Sequence, residues 1–253
     1  MNRIELFHLG HYCPWFESTQ SFLRTYCAQH HMLFSSVDIQ KQKARADGPI
    51  VFPFNTAVDG TIITGSPVFR SNVLDLFRRA NNHIQVEDAI LPDGTLDATM
   101  PLSEDTIGDA LSVCCKNALP HCNKKQWFME NRDNVLGFIG YRNSVPVAIL
   151  EIMRSEACPF TGITQNQHTA AILCFYSNPD DYDYKYDLLR KSVDTIKDMG
   201  IRELEVIVGE RGYYPNGSLR QFEDYGFVRQ KALGRTYLLN RGYDALWLIR
   251  KTL

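Results

Sequence analysis

The stretch "TAAILCFYSNPDDYDYKYDLLRKSVDTIKDMG", Thr169 to Gly200, decides how the chain is read. Its first third is an unbroken apolar run, which suits a strand covered on both faces. A short polar loop follows, and then an amphipathic helix that Gly200 ends. Strand, loop and helix in this order is where many folds hold a phosphate, because the first N–H groups of a helix lack partners inside it. Here the loop brings Asp180, Asp181, Asp183 and Asp187 and no glycine. The segment therefore predicts a helix start that its own aspartates can cap.

Outward from this core the periods continue. "RELEVIVGE" is a second core strand, and "VLGFIGYRNSVPVAILEIM" reads as two antiparallel strands about Arg142-Asn143-Ser144, with Glu151 inside the second. Upstream, "PLSEDTIGDALSVCCKNA" predicts a helix capped by Ser103 with Ile107, Ala110, Leu111 and Cys114 on its apolar face. "NKKQWFMEN" and "NGSLRQFEDYGF" give shorter helices, and residues 227–253 the final strands. The pattern is α+β, a mixed sheet with helices against it. The N-terminal part has its own order: strand "RIELFHLG", helix "PWFESTQSFLRTYCAQH", strand "MLFSSVDI", a hairpin turning at Asp59-Gly60, and helix "SNVLDLFRRANN" with Ser71 as cap and Val73, Leu74 and Phe77 on one face. The turn-rich "LPDGTLD" marks a boundary near residue 92, which predicts domains 1–91 and 92–253 with separate hydrophobic cores.

Composition limits the functions. Of 253 residues 44% are hydrophobic and 22% charged, and the formal charge is -2, so no basic footprint for nucleic acid exists. The start "MNRIELFHLGHYC" lacks a leader's apolar run and no run approaches membrane-span length, which predicts a cytoplasmic protein without a membrane partner. Seven cysteines, an odd set without regular spacing, read as free thiols. Zinc sets drawn from His8, His11 and Cys13, or from Cys114, Cys115, His121 and Cys122, lack the paired spacing of a structural site, so no metal is expected and the histidines are expected to be satisfied.

With Cys13-Pro14-Trp15-Phe16 between the first strand and helix, and Pro53 before the hairpin, residues 1–91 resemble a thioredoxin-like domain. The resemblance implies a reactive Cys13 at a helix start. Phe16 stands where that family has a second cysteine, which leaves monothiol chemistry.

Residues 95–253 resemble the GNAT acyltransferase superfamily through the strand pair "GFIGYRNSVPVAILEI", the passage from Ala170 to Gly200, and "PNGSLRQFEDYGF". That resemblance implies acetyl-CoA with its pantetheine between "AILCFYS" and "LEVIVGE" and its pyrophosphate on the loop after the first of these. Cys174, Phe175, Tyr176, Ser177 and Asn216 would then contact the cofactor, with Glu151 or Glu210 as base. The family's late-helix tyrosine, a proton donor, falls on Phe222, which leaves Tyr225 as the nearest hydroxyl. The loop departs from the family's glycine-rich form. A carboxylate about 6 Å from a phosphate charge, at an effective dielectric near 20, repels it by roughly 3 kcal/mol. A ring of aromatics including Phe175, Tyr176, Tyr182, Tyr184, Tyr186, Tyr213, Tyr214 and Tyr225 could enclose a planar, apolar or cationic ligand. The reading is an N-acyltransferase relative acting on a small amine, weakened or inactive toward acetyl-CoA. The alternatives are a non-catalytic ligand-binding or thiol-sensing protein and a monothiol oxidoreductase acting through Cys13.

Overall fold

A computed structural model describes residues 3–42, 47–78, 91–114, 123–178, 182–212, 216–239 and 242–253. The expectations for Cys115, His121, Cys122, Asp180, Asp181, Tyr213 and Tyr214 fall outside these residues.

The first sheet is built from β1 (Arg3–His8), β2 (Leu33–Asp38), β3 (Phe54–Val58) and β4 (Thr61–Thr64), with α1 (Trp15–Gln29) crossing between β1 and β2. Its order is β2-β1-β3-β4, with β1 parallel to β2 and antiparallel to β3. Asp59 and Gly60 both take positive φ, the geometry a tight hairpin requires. Helix α1 buries Phe16, Thr19, Leu23 and Cys27, one stripe at helical spacing. Of the helix expected from Ser71 onward, the described residues form α2 (Asp75–Arg78), and residues 79–82 lie outside the described residues. Before α2 the chain turns, with the Asn72 side chain accepting from the Phe69 amide and donating to the Pro67 carbonyl. Val73 and Leu76 are buried as a result, while Leu74 is exposed, contrary to its expected place on the apolar face.

The second sheet runs β10-β11-β9-β8-β7-β6-β5. Its strands are β5 (Ala98–Pro101), β6 (Val135–Arg142), β7 (Val145–Arg154), β8 (Thr169–Ser177), β9 (Glu203–Gly209), β10 (Val228–Leu238) and β11 (Gly242–Thr252). Among the described strands of this sheet only β8 and β9 pair in parallel, joined by α5 (Lys185–Asp198). Helices α3 (Ile107–Cys114) and α4 (Lys124–Asn131) precede β6, and α6 (Leu219–Asp224) precedes β10. Ser103 and Thr106 exchange side-chain hydrogen bonds ahead of α3, which buries Ile107, Ala110 and Val113 and leaves Leu111 and Cys114 half-buried.

The two sheets do not have separate cores, contrary to expectation. Phe7, Leu9, Tyr12, Ile50 and Phe52 from the N-terminal part pack in one cluster with α3, α4 and the β7–β8 face carrying Ile149, Met153 and Leu173. In return Tyr237 and Leu239 join the cluster under α1. The cause is the small sheet itself: α1 covers one of its faces, and the other still carries Phe7, Val37, Ala57 and Ile62, which need cover. The opposite face of the large sheet buries Leu150, Ile152, Phe175 and Val206 against α5 and α6.

Candidate functional site

The site begins where one pair of strands comes apart. β8 and β9 are in register from Thr169↔Glu203 to Ile172↔Val206, and their pairing stops there. At the same level β8 carries a bulge. Glu151 of β7 faces Cys174 and Ile152 faces Ile172, so Leu173 is the extra residue. A bulge sharpens twist and re-aims its strand, which carries β8 away from β9 while β9 stays paired with β11 up to Gly209.

Among the described residues, the Asn216 side chain enters the wedge between them. The Phe175 amide donates to Asn216 Oδ1 at 3.0 Å, and Asn216 Nδ2 donates to the Ile207 carbonyl at 3.2 Å. A carboxamide offers both an acceptor and a donor, as a peptide group does, so Asn216, 4% exposed, stands in for a missing rung of the ladder. Gly217 lets the chain leave: its φ is +143°, and a Cβ there would lie 2.6 Å from Gln221 Oε1. Ser218 then caps α6, accepting from the Gln221 amide.

At the start of α5 the loop supplies its own anion. Asp183 Oδ1 accepts from the Lys185 amide at 2.9 Å, and Asp183 Oδ2 lies 3.3 Å from Lys185 Nζ. Lys185 Nζ also donates to Gln221 Oε1 and the Asn216 carbonyl. Burial holds its pKa below the ordinary lysine value, against the pull of Asp183. Asp187 accepts from the Leu96 amide and pairs with Arg190 and Lys191. The repulsion expected of these two aspartates is thus largely neutralised. At Asp183 the obstacle to an incoming phosphate is occupation of the helix start.

On the other face of the sheet a second polar group is fully enclosed. Lys124 Nζ lies 2.8 Å from the Glu151 carboxylate, with both side chains 2% exposed or less. The Tyr12 hydroxyl donates to Glu151 Oε2 at 2.6 Å, and Lys124 Nζ sits 4.7 Å from the centre of the Tyr12 ring. Burial is the largest influence and disfavours a charged Lys124, but Glu151 together with the Cys114 and Cys174 side chains outweighs it and raises the lysine pKa. Burial and then Glu151 push Tyr12 up as well. Gly10 places Tyr12: with φ +53° it lies against Trp127, and a Cβ there would be 2.8 Å from that ring.

The other sequence candidates are scattered. Glu210 is exposed at the end of β9. Phe222 packs on Phe175 beside the wedge, with ring centres 5.9 Å apart. Tyr225 lies one turn further on, stacked on Tyr186 and accepting from Gln221 Nε2, with its pKa raised by burial. Of the expected contacts, Phe175 and Asn216 meet, Ser177 Oγ accepts from the Tyr184 amide, Tyr176 is exposed, and Cys174 turns to the Glu151 side. Cys13 is half-buried two residues before α1, whose N-cap is Pro14, and it packs at the edge of two apolar clusters. The described aromatics form a Tyr186–Tyr225–Phe222–Phe175 chain and a separate Tyr182–Tyr184 pair, so they do not converge on one cage. His8 departs from the expectation of satisfied histidines. Its Nδ1 has no hydrogen-bond partner, its ring stacks on Phe16 at 4.1 Å, and burial lowers its pKa to about 4. Among the described residues no group of His, Cys, Asp and Glu is arranged to hold a metal ion, and no helix is long and apolar enough to cross a membrane.

Sequence reasoning missed Lys124, Tyr12 and Lys185. The one available signal was Glu151 itself, a carboxylate in an apolar strand that burial obliges to find a cation.

Neither the protein-family models nor the curated proteins compared give a match. Among solved structures, the chain is similar to the ribosomal-protein-alanine N-acetyltransferase from Brucella melitensis (15% identity, 62% of this chain and 99% of that one, TM-score 0.47). It is similar to the ribosomal-protein-S18-alanine N-acetyltransferase from Escherichia coli (15% identity, 61% and 92%, TM-score 0.45). It is also similar to the spermidine/spermine N-acetyltransferase SpeG from Vibrio cholerae (10% identity, 61% and 91%, TM-score 0.46).

Proposed function

We propose that this chain is an N-acyltransferase relative of the GNAT type, in which an acyl-CoA such as acetyl-CoA enters the wedge between β8 and β9 and is used on a small amine, with binding weakened by the chain's own Asn216. The wedge carries this reading. Beyond Ile172 and Val206 the two parallel strands leave the Phe175 amide and the Ile207 carbonyl facing a gap, and a carboxamide already joins them. A pantetheine arm is a chain of amides and offers the same donors and acceptors. It must displace Asn216 to do so, and the net worth of one such exchange is small.

In this reading Phe175 supplies the backbone contact. Glu210, exposed at the end of β9, is the base, because the Glu151 carboxylate is already taken by Lys124 and Tyr12. Tyr225, which burial keeps protonated, is the hydroxyl nearest the position that Phe222 occupies. A second reading is favoured by Asp183, which fills the helix start, and by Phe222, which has no proton to give. In it the chain is a non-catalytic ligand-binding protein whose N-terminal part is a thioredoxin-like, thiol-sensing unit. The order β2-β1-β3-β4 and Cys13 just ahead of α1 support that assignment.

Calorimetric titration with acetyl-CoA separates the two. The native chain should bind weakly, and Asn216→Ala, shown to be folded by circular dichroism, should bind at least about tenfold tighter, a gain of about 1.4 kcal/mol. Absence of binding by both folded proteins sinks the acyltransferase reading in favour of the second. Tight binding by the native chain would show that Asn216 does not compete.

A further inference from the structure

Lys124 at the start of α4, Glu151 of β7 and Tyr12 from the connection between β1 and α1 enclose one ammonium group. Its nitrogen lies 2.8 Å from each carboxylate oxygen of Glu151 and 4.7 Å from the centre of the Tyr12 ring, whose hydroxyl donates to the same carboxylate at 2.6 Å. Among the described residues Glu151 is the only hydrogen-bond acceptor of this ammonium, so an aromatic face takes the place of a third oxygen. Stability alone gives little reason for such a pair, because well-packed apolar residues of similar volume often serve as well or better. A carboxylate beside an aromatic face is instead a means of recognising an ammonium. The group also stands next to the wedge in register: Glu151 faces Cys174, the residue before Phe175.

We propose that Glu151 and Tyr12 form a binding site for a primary alkylammonium, and that the chain's own Lys124 is the ligand that fills it. The present occupant is an unbranched alkyl chain ending in –NH3+, so the class the site selects is straight-chain primary amines. That this is the amine site of a transfer reaction rests on the acyltransferase reading above, whereas the ammonium site itself stands on the three residues. In that reading Lys124 closes the amine site from within, with Tyr12 of the N-terminal part held against it, and a free amine enters only where the Lys124 side chain is gone or withdrawn.

Lys124→Ala in the full-length chain removes Cγ, Cδ, Cε and Nζ, the heavy atoms of n-propylammonium. Urea unfolding of this variant is followed by circular dichroism with n-propylammonium chloride, and with n-propanol or sodium chloride at the same concentration. At about ten times its dissociation constant the ammonium should raise the folded-to-unfolded ratio on the order of tenfold, and neither control should. If the variant is unfolded by itself, the same addition should fold it. The native chain, whose site is filled, and Lys124→Ala combined with Glu151→Gln should not respond. A variant that gains no more from n-propylammonium than from n-propanol overturns the proposal, as does an equal gain in the native chain. Acetyl-CoA added to the stabilised variant tests the reaction separately. N-propylacetamide should form, the amine nitrogen losing a proton and bonding the acetyl carbon while the CoA sulfur leaves and takes up a proton. Stabilisation without that product upholds the ammonium site and counts against the acyltransferase reading only.

Discussion

Asn216 and Lys124 are single residues on which whole neighbourhoods depend. Asn216→Ala removes the partner of both the Phe175 amide and the Ile207 carbonyl, two buried groups. Each orphaned group costs about 1–3 kcal/mol, so the variant should unfold at clearly lower urea, and saturating acetyl-CoA should restore part of the loss if its arm takes over those bonds. Lys124→Met leaves the Glu151 carboxylate buried with only Tyr12, a loss of about 3–5 kcal/mol, whereas Lys124→Met with Glu151→Leu should recover most of it. Urea denaturation of the three proteins tests whether the pair is needed as a pair. His8 gives a pH dependence. Its folded pKa of about 4 lies below the unfolded value of 6.5, so the unfolded chain binds the proton more readily. The stability that this contributes is complete above pH 6.5 and is lost as the pH falls toward 4, by an amount on the order of 3 kcal/mol. His8→Gln should flatten the stability profile across that window, and an unchanged slope would place the acid sensitivity elsewhere.

At the scale of elements, the bulge at Leu173 and the start of α5 belong together. The bulge opens the strand pair, and the helix that follows is anchored by Asp183. Asp183→Asn keeps an acceptor for the Lys185 amide but leaves the Lys185 ammonium buried without its carboxylate, while Asp183→Ala loses that acceptor as well. Both should lower the stability to urea, the alanine variant further by about 1 kcal/mol for the lost hydrogen bond. Equal loss in the two would mean that the ion pair alone matters. Neutralising this loop to admit a phosphate therefore carries a stability cost at Asp183.

For the molecule as a whole, the N-terminal part acts as cover for the large sheet. Tyr12 spans the junction through its hydroxyl bond to Glu151, and Phe7, Leu9 and Phe52 lie in the same apolar cluster as Ile149 and Leu173. Residues 92–253 produced alone should expose that face and bind a hydrophobic dye that the full chain does not. A monomeric, dye-free fragment would show that each part stands by itself. Tyr12→Phe removes only the hydroxyl and should cost about 1–2 kcal/mol without loosening the packing.

The sequence by itself determined the elements. Apolar runs at Ala170–Phe175 and Leu204–Val208, the turn residues Asp59-Gly60 and Asn143-Ser144, and the stripe on α1 each follow from local periodicity and φ preference. The resemblance to the acyltransferase superfamily pointed further to Glu151, Phe175, Asn216 and Phe222, and of these Phe175 and Asn216 meet through a hydrogen bond. Only the tertiary structure decided that Lys124, one of two adjacent lysines, is the buried partner, that Tyr12 arrives from the other sheet, and that Asn216 spans the wedge. These are contacts across 27, 139 and 41 residues of chain. No local pattern records them, since burial of a polar group depends on which surfaces meet, and that is fixed only when the two apolar faces close on each other.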